Sequence, residues 1–198
     1  MTMKGSAVRH ADHPIDAQFL DRWSQRAMTG GEIPREELLS LFEAARWAPS
    51  AHNMQPWRAL FARRDTPEWP TFFGLLHEGN QVWAHHAAAL VVFVSNTINE
   101  RTGQPSITHS YDAGAAWGYF ALQGHLKGYA VHGMAGFDYE RARRELAIPE
   151  TYRIEAMAAV GRRAPKESLP PALQARESPS ERRPVQAWTC EGLWRLEG

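Results

Sequence analysis

The sequence predicts one mixed domain in which helices and strands follow one another irregularly, and three observations carry that expectation. The 198 residues suit a single domain that buries roughly two thirds of the surface exposed by its unfolded chain. Segments with a helical apolar period are interleaved with short apolar runs of strand length, without the regular spacing of a doubly wound βαβ sheet. No GxGxxG follows a strand, and GMAG at Gly133 to Gly136 is too short to qualify, so a Rossmann nicotinamide domain is not expected.

A first helix is expected from Ile15 to about Gln25, followed by a turn at Gly30 and Gly31. The second helix begins at Pro34, with Leu38, Leu41, Phe42 and Ala45 recurring on one face. Glu36 and Glu37 in its first turn and Arg46 in its last complement the helix dipole. Pro49 forbids continuation beyond Trp47. The run RWAPSAHNMQPWR, Arg46 to Arg58, then sets Ser50, His52, Asn53 and Gln55 between Pro49 and Pro56. Short amide and hydroxyl side chains on a stiffened backbone are ordered at low entropic cost, which suits them to a heterocycle edge or a polyol.

Alternation from Trp57 to Phe61 predicts a strand leaving this loop. Thr66 and Pro67 read as the start of a third helix holding Trp69, Phe72, Phe73 and Leu76, with Gly79 as its stop. Ala89 to Ser95 reads as a buried strand, and Asn96 to His109 as a surface loop. The helix expected from Ser110 to Lys127 is rich in Ala and Gly, so another backbone can approach it, either as the central helix or in a subunit contact. Gly128 closes it, Tyr129 to His132 is a short strand, Asp138 caps a charged helix ending before Pro149, and Tyr152 to Val160 is a further strand. Residues 163–198 form a proline-rich tail of the single domain 1–198, suited to wrapping a partner subunit, with Trp188 to Trp194 as an edge strand.

Composition narrows the function classes. Twenty-two basic residues balance 22 acidic ones, so no overall field attracts nucleic acid or an anionic membrane, and a small-molecule partner is expected. Cys190 is the only cysteine, which excludes intrachain disulfides and multi-cysteine metal sites. No apolar leader opens the chain and no apolar run approaches the ~18 residues of a span, so a soluble, cytoplasmic protein is expected. Ser50 and His52 are only two residues apart without a GxSxG elbow, so a hydrolase is not expected. His77, Glu78, His85 and His86 form no HExxH, so no metal is expected. The eight tryptophans lack a basic surface and fit core and pocket walls better than base stacking.

Taken together, RWSQR at Arg22 to Arg26, EAARWAPSAHNMQPWR at Glu43 to Arg58, GMAGFD at Gly133 to Asp138 and SERRP at Ser180 to Pro184 resemble the nitroreductase family of FMN-dependent oxidoreductases. The middle motif is specific; the two arginine motifs gain weight from their positions. The resemblance implies an α+β fold, a three-layer sandwich with a central, mainly antiparallel sheet flanked by helices, forming an intertwined homodimer with FMN at both subunit interfaces.

It further implies that Arg22, Arg182 and Arg183 hold the FMN phosphate, with Ser24 at the phosphate and ribityl end and Arg26 near the flavin pyrimidine. Pro49, Ser50, Asn53 and Gln55 match the loop that contacts the ring and ribityl chain, with Pro49 and Ser50 reaching the partner's flavin. Asn80 matches an amide against the pyrimidine edge, and the Gly136 backbone N–H a donor to flavin N5. Read from the residues alone, Arg182 and Arg183 are equally solvated tail charges, Arg26 a surface ion pair, Asn53 a tie within its own turn and Asn80 part of a helix stop. Ala135 stands where the family often has an acidic residue, Gln25 where Val or Pro is common, and Met28 where Phe is usual.

The implied activity is hydride transfer from NADH or NADPH to FMN, then reduction of a flat electron acceptor such as a nitroaromatic or quinone by a ping-pong mechanism. No catalytic acid or base is required for the first half, since the flavin carries the chemistry. The alternatives are reductive dehalogenation or flavin breakdown within the same family, using the loop from Asn96 to His109, and a non-catalytic flavin-binding redox sensor.

Overall fold

Ala89–Asn96 (β2) is buried at every position, as its uninterrupted apolar run requires. Its side chains alternate between two cores, with Leu90, Val92 and Val94 on one face and Ala89, Val91 and Phe93 on the other. A strand covered on both faces lies inside a sandwich. In the computed structural model, which describes residues 3–196, β2 pairs antiparallel with Trp57–Arg63 (β1) and Tyr152–Arg162 (β4), while Tyr129–Met134 (β3) pairs with the far side of β4. The sheet order is β1-β2-β4-β3, antiparallel throughout, and the fold is α+β.

One face is covered by Arg35–Arg46 (α2) and His109–Leu126 (α5), through Leu38, Leu41, Phe120 and Ala121. The other packs on Trp69–Gly74 (α3), Glu78–Ala84 (α4) and Tyr139–Glu145 (α6), with Phe72, Trp83 and Ala142 in the core. Each fully buried large apolar side chain contributes about 1.5–3 kcal/mol relative to exposure. Small residues on α5 serve two purposes. A Cβ at Gly124 would collide with Val131 and Leu41, whereas one at Gly114 or Gly118 would meet nothing within 4 Å.

Three expected elements differ. The first helix is short, Ala17–Asp21 (α1), with Asp16 accepting from Gln18 N at 3.0 Å. It ends early because buried Arg9 takes the carbonyls of Leu20 and Arg22, each at 2.9 Å, and the chain leaves Arg22 extended. The third helix is two helices, α3 and α4, broken where His77 N donates to Gly136 O at 3.1 Å and Asp138 N to Leu75 O at 2.9 Å. Gly79 lies inside α4 and is not its stop. Trp188 to Trp194 is not a strand; the chain there follows a 3-10 turn at Val185–Ala187.

Much of the tail packs against the rest of its own chain. Ala164 and Leu169 enter the core, Arg9 Nε donates to Ser180 O at 2.9 Å, and Val185 N donates to Asp12 at 2.7 Å. A short helix, Pro171–Gln174 (α7), precedes buried Glu177. Trp188, Leu193 and Trp194 stay exposed. Residues 197 and 198 of the expected tail lie outside the described residues.

One irregularity positions side chains for the site. Phe93 pairs with Ala156 but Val94 with Ile154, leaving Glu155 as an extra residue in β4. This β-bulge turns Glu155 and Ala156 toward the α5 face, where bulges commonly re-aim side chains beside functional sites.

Candidate functional site

The extended segment after α1 carries Arg22, Ser24 and Arg26 past the end of the sheet, tied there by Thr29 N to Arg162 O and Ala164 N to Ala27 O, both 3.0 Å. Arg22 Nη1 is buried and has no hydrogen-bond partner among the described residues. Burial, then the charges of Arg9 and Arg182, pull its pKa below the ordinary arginine value. Arg9 is lowered by burial and by Arg182, with Glu181 acting the other way. Arg182 Nη1 turns back to Ser180 and Glu181 at 2.9–3.3 Å. Arg182 and Arg183 line a cleft of about 810 Å³ together with Leu20. A half-buried guanidinium with an unpartnered nitrogen among like charges is an arrangement that an anion stabilises.

Arg26 meets buried Glu177, with Nη1 3.5 Å from Oε2, while Oε1 accepts from the backbone N–H of Arg26 at 2.7 Å and of Ala27 at 2.9 Å. The side chain of Ser24 makes no hydrogen bond among the described residues, and Ser24 is half-buried. Nearby His132 on β3 lies against buried Trp83, their rings 4.6 Å apart, with Nδ1 unpartnered among the described residues. Its pKa is pushed down to about 4, first by burial and then by Arg26, with hydrogen bonding to the Gln25 and Ser24 backbone acting the other way.

Gly136 and Asn80 are brought together by the break between α3 and α4. Asn80 Nδ2 donates to Gly136 O at 2.9 Å, beside the bond from His77 N. A Cβ at Gly136 would lie 2.9 Å from Asn80 Nδ2, so a larger residue there displaces the Asn80 amide from this approach. The Gly136 N–H donates to no group among the described residues.

The polar loop lies at the opposite end of α5 from Gly128, against Asp112. His52, Asn53 and Gln55 all have positive φ, at 51°, 55° and 48°, conformations that cost a non-glycine residue roughly 1–2 kcal/mol each. Ser50 Oγ accepts from Gln55 N at 3.0 Å, and Gln55 Nε2 donates to Asn53 Oδ1 at 3.1 Å. Asn53 therefore does tie its own turn. Buried Asp112 accepts from Ala51 N at 3.3 Å and Thr108 Oγ1 at 3.1 Å. His52 is exposed and makes no bond to Ser50 among the described residues. Pro49 is exposed, and none of Pro49, Ser50, Asn53 and Gln55 lines the hollow beside Ala135 within the same chain.

That hollow, about 380 Å³, lies between α5 and the β3–β4 end of the sheet and includes Trp117, Gly133, Ala135, Ser110 and Glu155. Gly133 leaves room for the Trp117 ring, which a Cβ would approach to 2.8 Å. Among the described residues no group of three or more His, Cys, Asp or Glu is placed to hold a metal ion, and no helix is long and apolar enough to cross a membrane.

The chain's own fold thus gathers Arg22, Arg182 and Arg183 at one place and Asn80 with Gly136 at another, and leaves the 49–55 loop apart. Sequence reasoning missed Arg9, Asp112, Glu155 and Glu177. Each bonds to at least one group far away in sequence, and Arg9, Asp112 and Glu177 are also distinguished by the burial of their charges.

A model described as Nitroreductase family matches residues 20–162. A solved oxidoreductase containing FMN is 44% identical, with 100% of each chain covered and a TM-score of 0.93. A protein from Desulfovibrio desulfuricans solved in complex with FMN shares the fold, with 23% identity over 90% of this chain and 96% of that one and a TM-score of 0.70. The NADH dehydrogenase of Thermus thermophilus is 29% identical over 171 residues, 72% of this chain and 83% of that protein.

Proposed function

Because the chain belongs to the nitroreductase family, we propose that it is an FMN-dependent oxidoreductase that takes electrons from NADH or NADPH and passes them to a flat organic acceptor. The FMN-containing protein of 44% identity and the NADH dehydrogenase relative support the cofactor and the donor. The observation that carries the reading is Arg22, whose buried, unpartnered Nη1 sits among Arg9 and Arg182. A phosphate dianion answers that need.

The residues present fit FMN. Arg22, Arg182 and Arg183 hold its phosphate, Ser24 offers a free hydroxyl to the ribityl end, and Arg26 places a cation beside the pyrimidine while remaining paired with Glu177. Gly136 offers an unengaged N–H, with its carbonyl fixed by Asn80 and His77. When bound, FMN supplies hydride acceptance and donation, and the protein positions and tunes it. Donor and acceptor use the site in turn, a ping-pong sequence with nitroaromatics or quinones as acceptors.

A homodimer completes the site. Pro49, Ser50, Asn53 and Gln55 line no part of the hollow in their own chain; Pro49 and Ser50 reach the partner's flavin, and Asn53 and Gln55 serve the ring and ribityl chain. Exposed Tyr119 and the open face of Gly118 on α5 give an apolar stripe suited to a second copy. The exposed tryptophans of the tail suit the same contact, and the cytoplasm is the compartment where NADH and NADPH are available.

Purifying the protein without added cofactor and identifying what denaturation releases tests this reading. FMN is expected; a preparation that neither carries FMN nor takes it up would refute it.

A further inference from the structure

The bulge in β4 aims a carboxylate into the hollow beside Ala135. We propose that this hollow seats the organic acceptor and that Glu155 selects acceptors bearing a hydrogen-bond donor or positive charge over carboxylate-bearing ones. The inference rests on the oxidoreductase reading and names the substrate class of that site.

Glu155 is oriented from below. Its Oε1 accepts from Ser110 Oγ at 2.7 Å and from Ser95 Oγ, and fully buried Ser95 is itself 2.7 Å from His109 Nδ1. Two hydroxyls from different elements hold one carboxylate oxygen, so the side chain points in a defined direction. The other oxygen, Oε2, accepts no hydrogen bond among the described residues.

The basic groups near it are weak competitors. Arg153 Nε is 3.6 Å from Oε2, but the Arg153 side chain is 65% exposed against 19% for Glu155, so water screens its charge. His109 Nδ1 lies 3.6 Å from Oε1 and faces Ser95. Phe93, Ala113 and Met134 make the remaining walls largely apolar, and Trp117 adds an indole whose Nε1 is buried and unpartnered among the described residues, a donor that leaves Glu155 as the only formal charge in the lining. A volume of about 380 Å³ suits one flat ring system.

An amide, hydroxyl or amidinium hydrogen would complete Oε2, whereas a ligand carboxylate would set like charges together in a low-dielectric space. Ser95, Ser110 and His109 are positioning residues, and Glu155 touches the ligand.

The test is titration of the FMN-loaded protein with benzamidinium, benzamide and benzoate, followed through the absorbance of the oxidised flavin. Affinity is expected to fall in that order, with benzoate about tenfold or more weaker than benzamidinium. Glu155→Gln keeps the shape and removes the charge, so benzoate should rise to within about threefold of benzamide. Equal binding of the three by the parent protein, a preference for benzoate, or an unchanged gap between benzoate and benzamide in E155Q overturns the proposal. A protein that takes up no FMN defeats the oxidoreductase reading instead. The ligand order is then read from fluorescence quenching that Trp117→Phe abolishes, and it still decides the role of Glu155.

Discussion

Asn80 Nδ2 stands 2.9 Å from the carbonyl oxygen of Gly136, joining the first turn of α4 to the turn that follows β3. With His77 N on the same oxygen at 3.1 Å, the carbonyl is fully engaged and the orientation of the turn is set. The neighbouring Gly136 N–H is thereby held ready for an acceptor. Asn80→Ala should weaken FMN binding about tenfold, the loss of roughly one well-placed hydrogen bond. Gly136→Ala, whose Cβ would lie 2.9 Å from Asn80 Nδ2, should have at least as large an effect. Fluorescence titration with FMN measures both, and unchanged affinity in the two variants would remove this turn from the cofactor site.

Arg22 carries a charge that its own chain does not neutralise. Arg22→Leu should therefore raise the melting temperature of the cofactor-free protein, since an unpartnered buried charge is costly. The same change should weaken FMN binding by about 10- to 100-fold through loss of charge-assisted bonds worth roughly 1.5–3 kcal/mol. Calorimetry with and without FMN reads both signs. A variant with unchanged cofactor affinity would end the phosphate assignment.

His132 gives the fold a pH dependence of known sign. Its folded pKa of about 4 lies below the ordinary histidine value of 6.5, so only the unfolded chain takes up this proton between those values. The stability contributed by its neutral state is complete above pH 6.5 and is lost as pH falls toward 4, by at most about 3 kcal/mol. His86 and His125, both lowered chiefly by burial, act in the same direction. Denaturant melts at pH 7 and pH 4.5 should show His132→Gln losing less stability on acidification than the parent. An equal loss would place the acid sensitivity elsewhere.

The division between Arg22 and the 49–55 loop predicts a shared site. Sedimentation should find a dimer. Coexpression of Arg22→Ala chains with Ser50→Ala chains should restore FMN binding at about a quarter of all sites, because half of the dimers are mixed and each mixed dimer has one intact site. A monomer that retains FMN, or mixing that restores nothing, would oppose this arrangement.

The sequence made the loop from Arg46 to Arg58 legible because Pro49 ends a helix whose apolar period is plain. The strand at Ala89 to Ser95 was legible because its apolar run has strand length. The break between α3 and α4 was not, since it depends on Leu75 and His77 pairing with residues about 60 positions away. Arg9 shortened α1 through two carbonyls that no local pattern reveals. The bulge at Glu155 is a matter of register between β2 and β4, and composition carries no trace of register. Of the candidate site, motif spacing singled out the arginines and Gly136, whereas Glu177 became visible only through the burial of its charge and Glu155 only through the register of β4.

Anaerobic mixing of the FMN-loaded protein with NADH or NADPH, with the flavin absorbance followed in a stopped-flow instrument, tests the oxidoreductase claim most directly. The account predicts that at least one nicotinamide bleaches the bound flavin and that a quinone then restores its colour. A flavin that stays oxidised with both donors would contradict it.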